Sequence, residues 1–195
     1  MKAKKIGIIG NGNVGGALAH GLKRAGHEVR AVGNDPAAIR EVATWASEVI
    51  LAVPFGAIDA TLAAIGPALE GKTVIDATNA LGAEMQLVLG FNTSGAEELQ
   101  KKVPQAHVVK AFNTVFAQHM DTGHLRNQEL TAFVAGDDAH AKEDALGLAR
   151  DIGFDAVDAG PLRNARLLEP FAYLNIQLGY VLNMGPQIGF KLLHA

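Results

Sequence analysis

"IGIIGNGNVGGAL", residues Ile6 to Leu18, is an apolar run that breaks into glycines and then resumes at a different period. Lys5 to Gly10 reads as a short strand buried on both faces, because it is apolar without alternation and is punctuated by glycine. From Val14 the apolar residues Val14, Leu18, Leu22 and Ala25 recur at helical spacing, with His20, Lys23 and Arg24 on the other side. Gly26 is placed to end that helix, and "HEVRAV", His27 to Val32, reads as a second strand. Between strand and helix stand Gly10, Gly12 and Gly15, in the order GxGxxG. Glycine at 10 permits a tight turn, at 12 it lets a pyrophosphate approach the backbone, and at 15 it lets helix and strand pack closely. The free amides of the helix start would meet the phosphate charge. The pattern alone is a weak signal, but strand, helix and second strand supply the context it requires. A merely structural turn is the alternative.

The nucleotide is less constrained. Strand two ends in Val32, Gly33, Asn34, Asp35 and Pro36. An acid here would grip a ribose 2′-hydroxyl and favour NAD, whereas a cation would accept the 2′-phosphate of NADP. Asp35 is the acid in range, and no Lys or Arg occurs before Arg40. Asp35 could equally cap a turn before Pro36.

Further strands are expected at "EVILAVP" (Glu48 to Pro54), Thr73 to Ala77, "HVVKAFNTV" up to about Ala111, "LTAFVAGDD" and "FDAVDAG", with helices at about Ile58 to Leu69, Gly95 to Val103 and Ala139 to Asp151. Such alternation predicts an α/β, Rossmann-type doubly wound parallel sheet, with a small C-terminal strand–helix–strand unit and a long C-terminal helix. Residues 1–118 would form the dinucleotide-binding core and 119–195 an extension packed on it. Only Pro36 to Ser47 separates the second strand from the next. That is room for one helix, so the usual third strand should be missing, with the second strand at the sheet edge and the adenine end poorly covered.

Ligands in such sheets lie beyond the carboxyl ends of the strands. Besides the glycine turn and Gly33 to Asp35, those ends are Val53-Pro54-Phe55, Ala77-Thr78-Asn79 and Phe112-Asn113-Thr114. Phe55, Asn79 and Asn113 are the candidates to meet a nicotinamide and its ribose, unless they only satisfy turns.

Composition sets the outer limits. The chain has 195 residues, 49% apolar and 19% charged, which suits one globular core plus at most a small appendage. A net charge of −3 gives no electrostatic footprint for nucleic acid or an acidic membrane. With no cysteine there is neither disulfide nor thiolate chemistry, which suits a reducing cytoplasm. No signal peptide is expected, and the apolar region Leu167 to Met184 is interrupted too often by polar residues and proline to span a membrane.

Several stretches together resemble the NADPH-dependent reductases of the deazaflavin coenzyme F420: "GNGNVGGALAHGLKRAGHEV", "ILAVPF", "GKTVIDATNAL", "VVKAFNTV", "FVAGDD", "DAGPLRNARLLEPF" and "GPQIGFKLL". The likeness runs nearly end to end, and "KAFNT" and "DAGPL" with its following Arg and "LEP" are more specific than the glycine pattern. A similar module forms the cytoplasmic reductase domain of some membrane metalloreductases. The resemblance implies hydride transfer between NADP (or NAD) and a deazaflavin or flavin. It places the pyrophosphate turn at Asn11, Gly12, Asn13 and Val14, and the nicotinamide contacts near Phe55, Asn79, Asn113 and Thr114. Where that family tends to show Ser-Arg, this chain has Gly33-Asn34, which leaves the choice between NADP and NAD open.

No catalytic acid, base or nucleophile is expected, since hydride transfer between stacked rings needs positioning and dryness. Two rival readings remain. One is a reductase of a small imine or carbonyl, which would need Lys110 as proton donor. The other is a dinucleotide-sensing protein without turnover. Lys110 is otherwise expected to be solvated or phosphate-facing, Trp45 to be core, and Asp76 to orient a ribose or cap a turn. His119, Asp121 and His124 lie close in sequence but lack a fourth ligand nearby, so no metal is expected. The stretch Arg166 to Met184 is apolar nearly all round, which predicts burial on all sides and hence a homodimer. The alternative is that the tail from Gly185 folds back over it.

Overall fold

Residues 3–193 are described in the computed structural model. Strands β1 (Lys5–Ile9), β3 (Glu48–Leu51), β4 (Thr73–Asp76) and β5 (His107–Lys110) are buried along almost their whole length. They pair in parallel, with β2 (Glu28–Val32) added outside β1. The full sheet has seven strands in the order β2-β1-β3-β4-β5-β8-β9, the last two being Thr131–Gly136 and Asp155–Asp158.

Alternate residues of each strand feed two separate cores. Ile8, Ile50, Ile75 and Val109 face one side and pack on α1 (Asn13–Arg24) and α5 (Ala139–Ile152) through Leu18, Leu22, Ala145 and Leu148. Ile9, Leu51, Val74 and Val108 face the other side. There they meet Val42 of α2 (Pro36–Trp45), Ile58 and Ile65 of α3 (Ile58–Ile65), and Leu99 of α4 (Gly95–Lys102). Strands apolar on both faces require helices on both faces. Pro36 opens α2 and the helix uses up the short spacer, so among the described residues no strand lies outside β2, as the spacing predicts.

One expectation needs correcting. The sheet is not parallel throughout, because β8 (Thr131–Gly136) runs antiparallel to β5. The connection from β5 is a loop with a small hairpin of β6 (His124–Leu125) and β7 (Gln128–Glu129), so the chain never crosses back over the sheet. A parallel neighbour would need that crossover. β8, α5 and β9 (Asp155–Asp158) therefore continue the central sheet, with β8 and β9 parallel to each other.

The C-terminal helix α6 spans Ala165–Ile176 and widens into a π-helical turn over Gln177–Val181. The tail then folds back within the chain. Phe190 stacks on Phe171 at 4.3 Å, its carbonyl accepts from Thr131 N, and Leu192 N donates to the Thr131 hydroxyl. This covers only part of the helix. Leu167, Leu174 and Val181 stay 60%, 49% and 59% exposed. Among the described residues no helix is long and apolar enough to cross a membrane.

Candidate functional site

The glycine turn shows why each glycine is there. Gly10 sits at φ +108°, and a Cβ would overlap the Ala52 carbonyl. At Gly15 a Cβ would overlap the Gly10 carbonyl, so the start of α1 can touch β1 only without a side chain. Gly12 differs. Its φ is an ordinary −72° and a Cβ there would meet nothing within 4 Å. Nothing in the fold requires glycine at 12; what it leaves is an open cradle at the mouth of α1. No side chain caps that helix and no acid stands in its first turn, so its first amides face the cradle free to bind an anion.

From the cradle a cleft runs both ways. One lobe, about 520 Å³, is bordered by Gly10, Asn11, Gly33 and Asn34, with Ile39 of α2 and the face of α3 opposite. The other, about 430 Å³, is bordered by Asn13, Val14, Phe55, Thr78, Asn79 and Met85. The lobes share Gly12, Ala52, Val53 and Pro54. Two pockets joined at a phosphate cradle have the form of a dinucleotide: an adenosine lobe, a pyrophosphate bridge and a nicotinamide lobe. No charged side chain borders either lobe among the described residues.

The adenosine lobe is better walled than the sequence suggests. Ala57, Ala60, Thr61 and Ala64 line it. Their spacing of three, four and seven puts small side chains on one face of the α3 region, a signal legible in "AIDATLAAIG" but passed over. Asp35 does not border the lobe. Its Oδ1 accepts from Ala38 N at 2.7 Å and caps α2. The loop that brings Leu81 and Met85 over the nicotinamide lobe was also missed; it places Met85 and Phe91 at positive φ, which no residue type forecast.

Asn113 and Thr114 lie one layer behind the wall, almost wholly buried. The Asn113 amide donates to Asn79 Oδ1 (3.0 Å) and to the Leu168 carbonyl of α6 (3.1 Å), while Asn79 Nδ2 donates back to the Asn113 carbonyl. Phe112, at φ +66°, makes the bend that brings Asn113 round. Such a conformation is strained in a bulky residue, and here it belongs to a wholly buried one.

Lys110 corrects the sequence reading. It is neither solvated nor near the cradle, but fully buried at the end of β5. Strand register sets it beside Asp76. Its ammonium donates to Asp76 Oδ2 (2.9 Å) and the Thr78 carbonyl (2.7 Å), and pairs with Glu169 Oε1 of α6 at 2.8 Å. The ammonium is thus enclosed by three acceptors, two of them carboxylates. Burial pulls Lys110 towards the neutral form, but the charges and hydrogen bonds of Asp76 and Glu169 outweigh it and hold the pKa above the ordinary lysine value. Asp76 also takes the turn role, its Oδ1 accepting from Thr78 N at 2.9 Å. Trp45 is half-buried at the edge of the second core, with the Arg30 guanidinium stacked on it at 4.3 Å. His119, Asp121 and His124 point to separate partners: the Pro186 carbonyl, His20 and the Thr122 carbonyl.

The comparisons with known proteins agree with this geometry. The model of the NADP oxidoreductase, coenzyme F420-dependent family matches residues 5–47. Metalloreductase STEAP3 of Rattus norvegicus is 31% identical over 180 residues, 86% of this chain and 36% of that protein. The F420-dependent NADP reductase of Methanothermobacter marburgensis is 32% identical over 148 residues, 71% of this chain and 65% of the relative. The chain thus spans about a third of the first and just under two thirds of the second. A crystal structure from Arthrobacter sp. FB24, assigned as an F420-dependent NADP reductase, superposes with a TM-score of 0.90 at 30% identity, covering 98% of this chain and 100% of that one. A likeness that close over the whole of both chains places this protein in the family of coenzyme F420-dependent NADP oxidoreductases.

Proposed function

We propose that the chain binds NADP along this cleft and positions its nicotinamide for hydride exchange with a planar redox coenzyme, a deazaflavin or a flavin, stacked on the open side. The observation that carries this reading is the enclosure of Lys110. Reduction of an imine or carbonyl needs a proton donor at the reacting atom. The nicotinamide lobe has no charged side chain on its border, and the ammonium behind it lies outside the lining and is held protonated by two buried carboxylates. Ring-to-ring hydride transfer needs alignment and exclusion of water instead. Val14, Phe55, Leu81 and Met85 can supply both. The names of the methanogen relative and of the Arthrobacter structure support the same pair of coenzymes.

The test is to mix the full chain with NADPH and an oxidised deazaflavin, or a flavin, and follow the reduced-nicotinamide absorbance. Loss of that absorbance with reduction of the ring is expected. Tight NADPH binding with no turnover on either ring would favour a sensing protein and overturn the enzyme reading.

With no cation on the wall of the adenosine lobe, we expect weak discrimination between NADP and NAD. Asn34→Arg should strengthen NADP relative to NAD by about 10-fold, or ~1.4 kcal/mol, because a guanidinium pairs with the 2′-phosphate bidentately. Dissociation constants for both nucleotides in both proteins check this. A parent that already prefers NADP by ~100-fold would point to Arg40, whose Nε donates to the carbonyl of the wall residue Ala64.

We further propose a homodimer joined through the C-terminal helix, where the folded-back tail leaves Leu167, Leu174 and Val181 exposed. Light scattering at micromolar concentration should give twice the chain mass, and a monomer would refute it.

A further inference from the structure

We propose that Lys110 is a positioning residue for the nicotinamide end of the cleft, fixing the Thr78–Asn79 wall and docking α6 behind Phe55 so that the ring can lie in one place. The proposal rests on the dinucleotide reading above and concerns only how one half of the ligand is held.

The cluster is costly to build. One cation against two carboxylates leaves a net formal charge of −1, with all three side chains 0–1% exposed. Apolar residues of similar volume would often be at least as stable there. What the ions supply is direction. The three acceptors come from the end of β4, from the wall itself and from α6. Glu169 has a second task, accepting from Gly95 N (2.9 Å) and Ala96 N (3.2 Å) at the start of α4. At that point a Cβ on Gly95 would stand 3.1 Å from the Phe55 ring and 3.3 Å from Glu169 Oε1. Phe55 and Glu169 thus flank Gly95 closely enough to leave no room for a side chain there, and Glu169 holds the Gly95 backbone against which the Phe55 ring lies.

A second route runs parallel to the first. Leu168, the neighbour of Glu169, accepts from Asn113, which holds Asn79. Both routes end on the nicotinamide lobe. Among the described residues no hydrogen bond leads from the cluster to Asn11, Gly33 or Asn34 at the adenosine lobe. The two halves of one ligand should therefore respond differently to loss of the ammonium, and a general loss of stability would not produce that difference.

The experiment uses the full chain as parent, as Lys110→Met and as Lys110→Met with Glu169→Gln. The double variant removes one positive and one negative charge, so the buried excess stays at −1 and the chain is not asked to fold around two unpaired carboxylates. Dissociation constants are measured for NADPH and for 2′-phospho-ADP-ribose, which lacks the nicotinamide, together with kcat and KM for hydride transfer. The fragment should bind within ~2-fold of the parent and NADPH about 10-fold more weakly. The fall in kcat should be about 100-fold, the scale of a misplaced reacting group. Equal weakening of fragment and NADPH, or no change in either, would overturn the proposal. So would failure of both variants to fold, since the ammonium would then serve stability alone. A parent that binds neither ligand defeats the dinucleotide reading itself, a result separable from all of these.

Discussion

Gly12→Val should leave the protein folded and remove dinucleotide binding. The backbone at 12 has φ −72° and ψ −162°, which valine adopts without strain, and the new Cβ meets no atom within 4 Å. Valine is a poorer N-cap than glycine, a loss of about 1 kcal/mol, so the Tm should fall by only about 2–4 °C. The two methyl groups would instead fill the cradle where the pyrophosphate must approach the amides of α1. Affinity for NADPH should drop at least ~100-fold, or about 2.7 kcal/mol. Calorimetry beside a melting curve separates the two effects. A valine variant that binds as tightly as the parent would remove the phosphate site from this turn. The same substitution at Gly15 is the control in the opposite sense. It would drive a side chain into the Gly10 carbonyl and should destabilise the fold itself.

The difference between those two glycines also marks what can be read from sequence. Gly10, Gly12 and Gly15 look alike in the pattern, yet the fold requires two of them and leaves the third free. Strand ends were legible because buried strands are apolar runs with sharp stops, and each stop delivered a piece of the rim: Gly33, Pro54, Asn79. Depth was not legible. Whether Asn113 lines the cleft or braces Asn79 depends on the left-handed turn at Phe112, and Phe112 is not a residue type that announces such a turn. The direction of β8 was hidden for a similar reason. An apolar strand reads the same in both directions, and only the connection decides how it pairs.

Lys110 was the hardest residue to place, because a lysine at a strand end is ordinarily solvated. The clue lay in its partners. Asp76 closes the neighbouring strand and Glu169 stands within "LLEPF", apolar surroundings for an acid. A buried lysine needs buried acids, but sequence alone does not say which of the 20 acidic residues come within reach. Register supplies one of them and the docking of α6 the other.

Lys110→Met on its own should be strongly destabilising. The cluster works because one ammonium sits between two carboxylates, each wholly buried. Methionine fills the space of the side chain but leaves Asp76 and Glu169 facing each other without the cation. Breaking a buried ion pair in this way costs about 3–5 kcal/mol, which for a chain of this size lowers Tm by roughly 6–20 °C. Adding Glu169→Gln should recover much of the loss, a non-additivity that a double-mutant cycle reads directly. The pH dependence has a definite sign. In the parent the native pKa of Lys110 lies above the lysine value of 10.5. Its stabilisation is therefore complete below pH 10.5 and is lost only as the pH rises through the higher native value. In the single variant the deficit relative to the parent should shrink as the pH is lowered, because a proton on either carboxylate can stand in for the missing ammonium. Chemical denaturation of both proteins across the acid range provides the measurement. A deficit that stays constant with pH would mean that lost packing, and not the charge, holds this end of the sheet together.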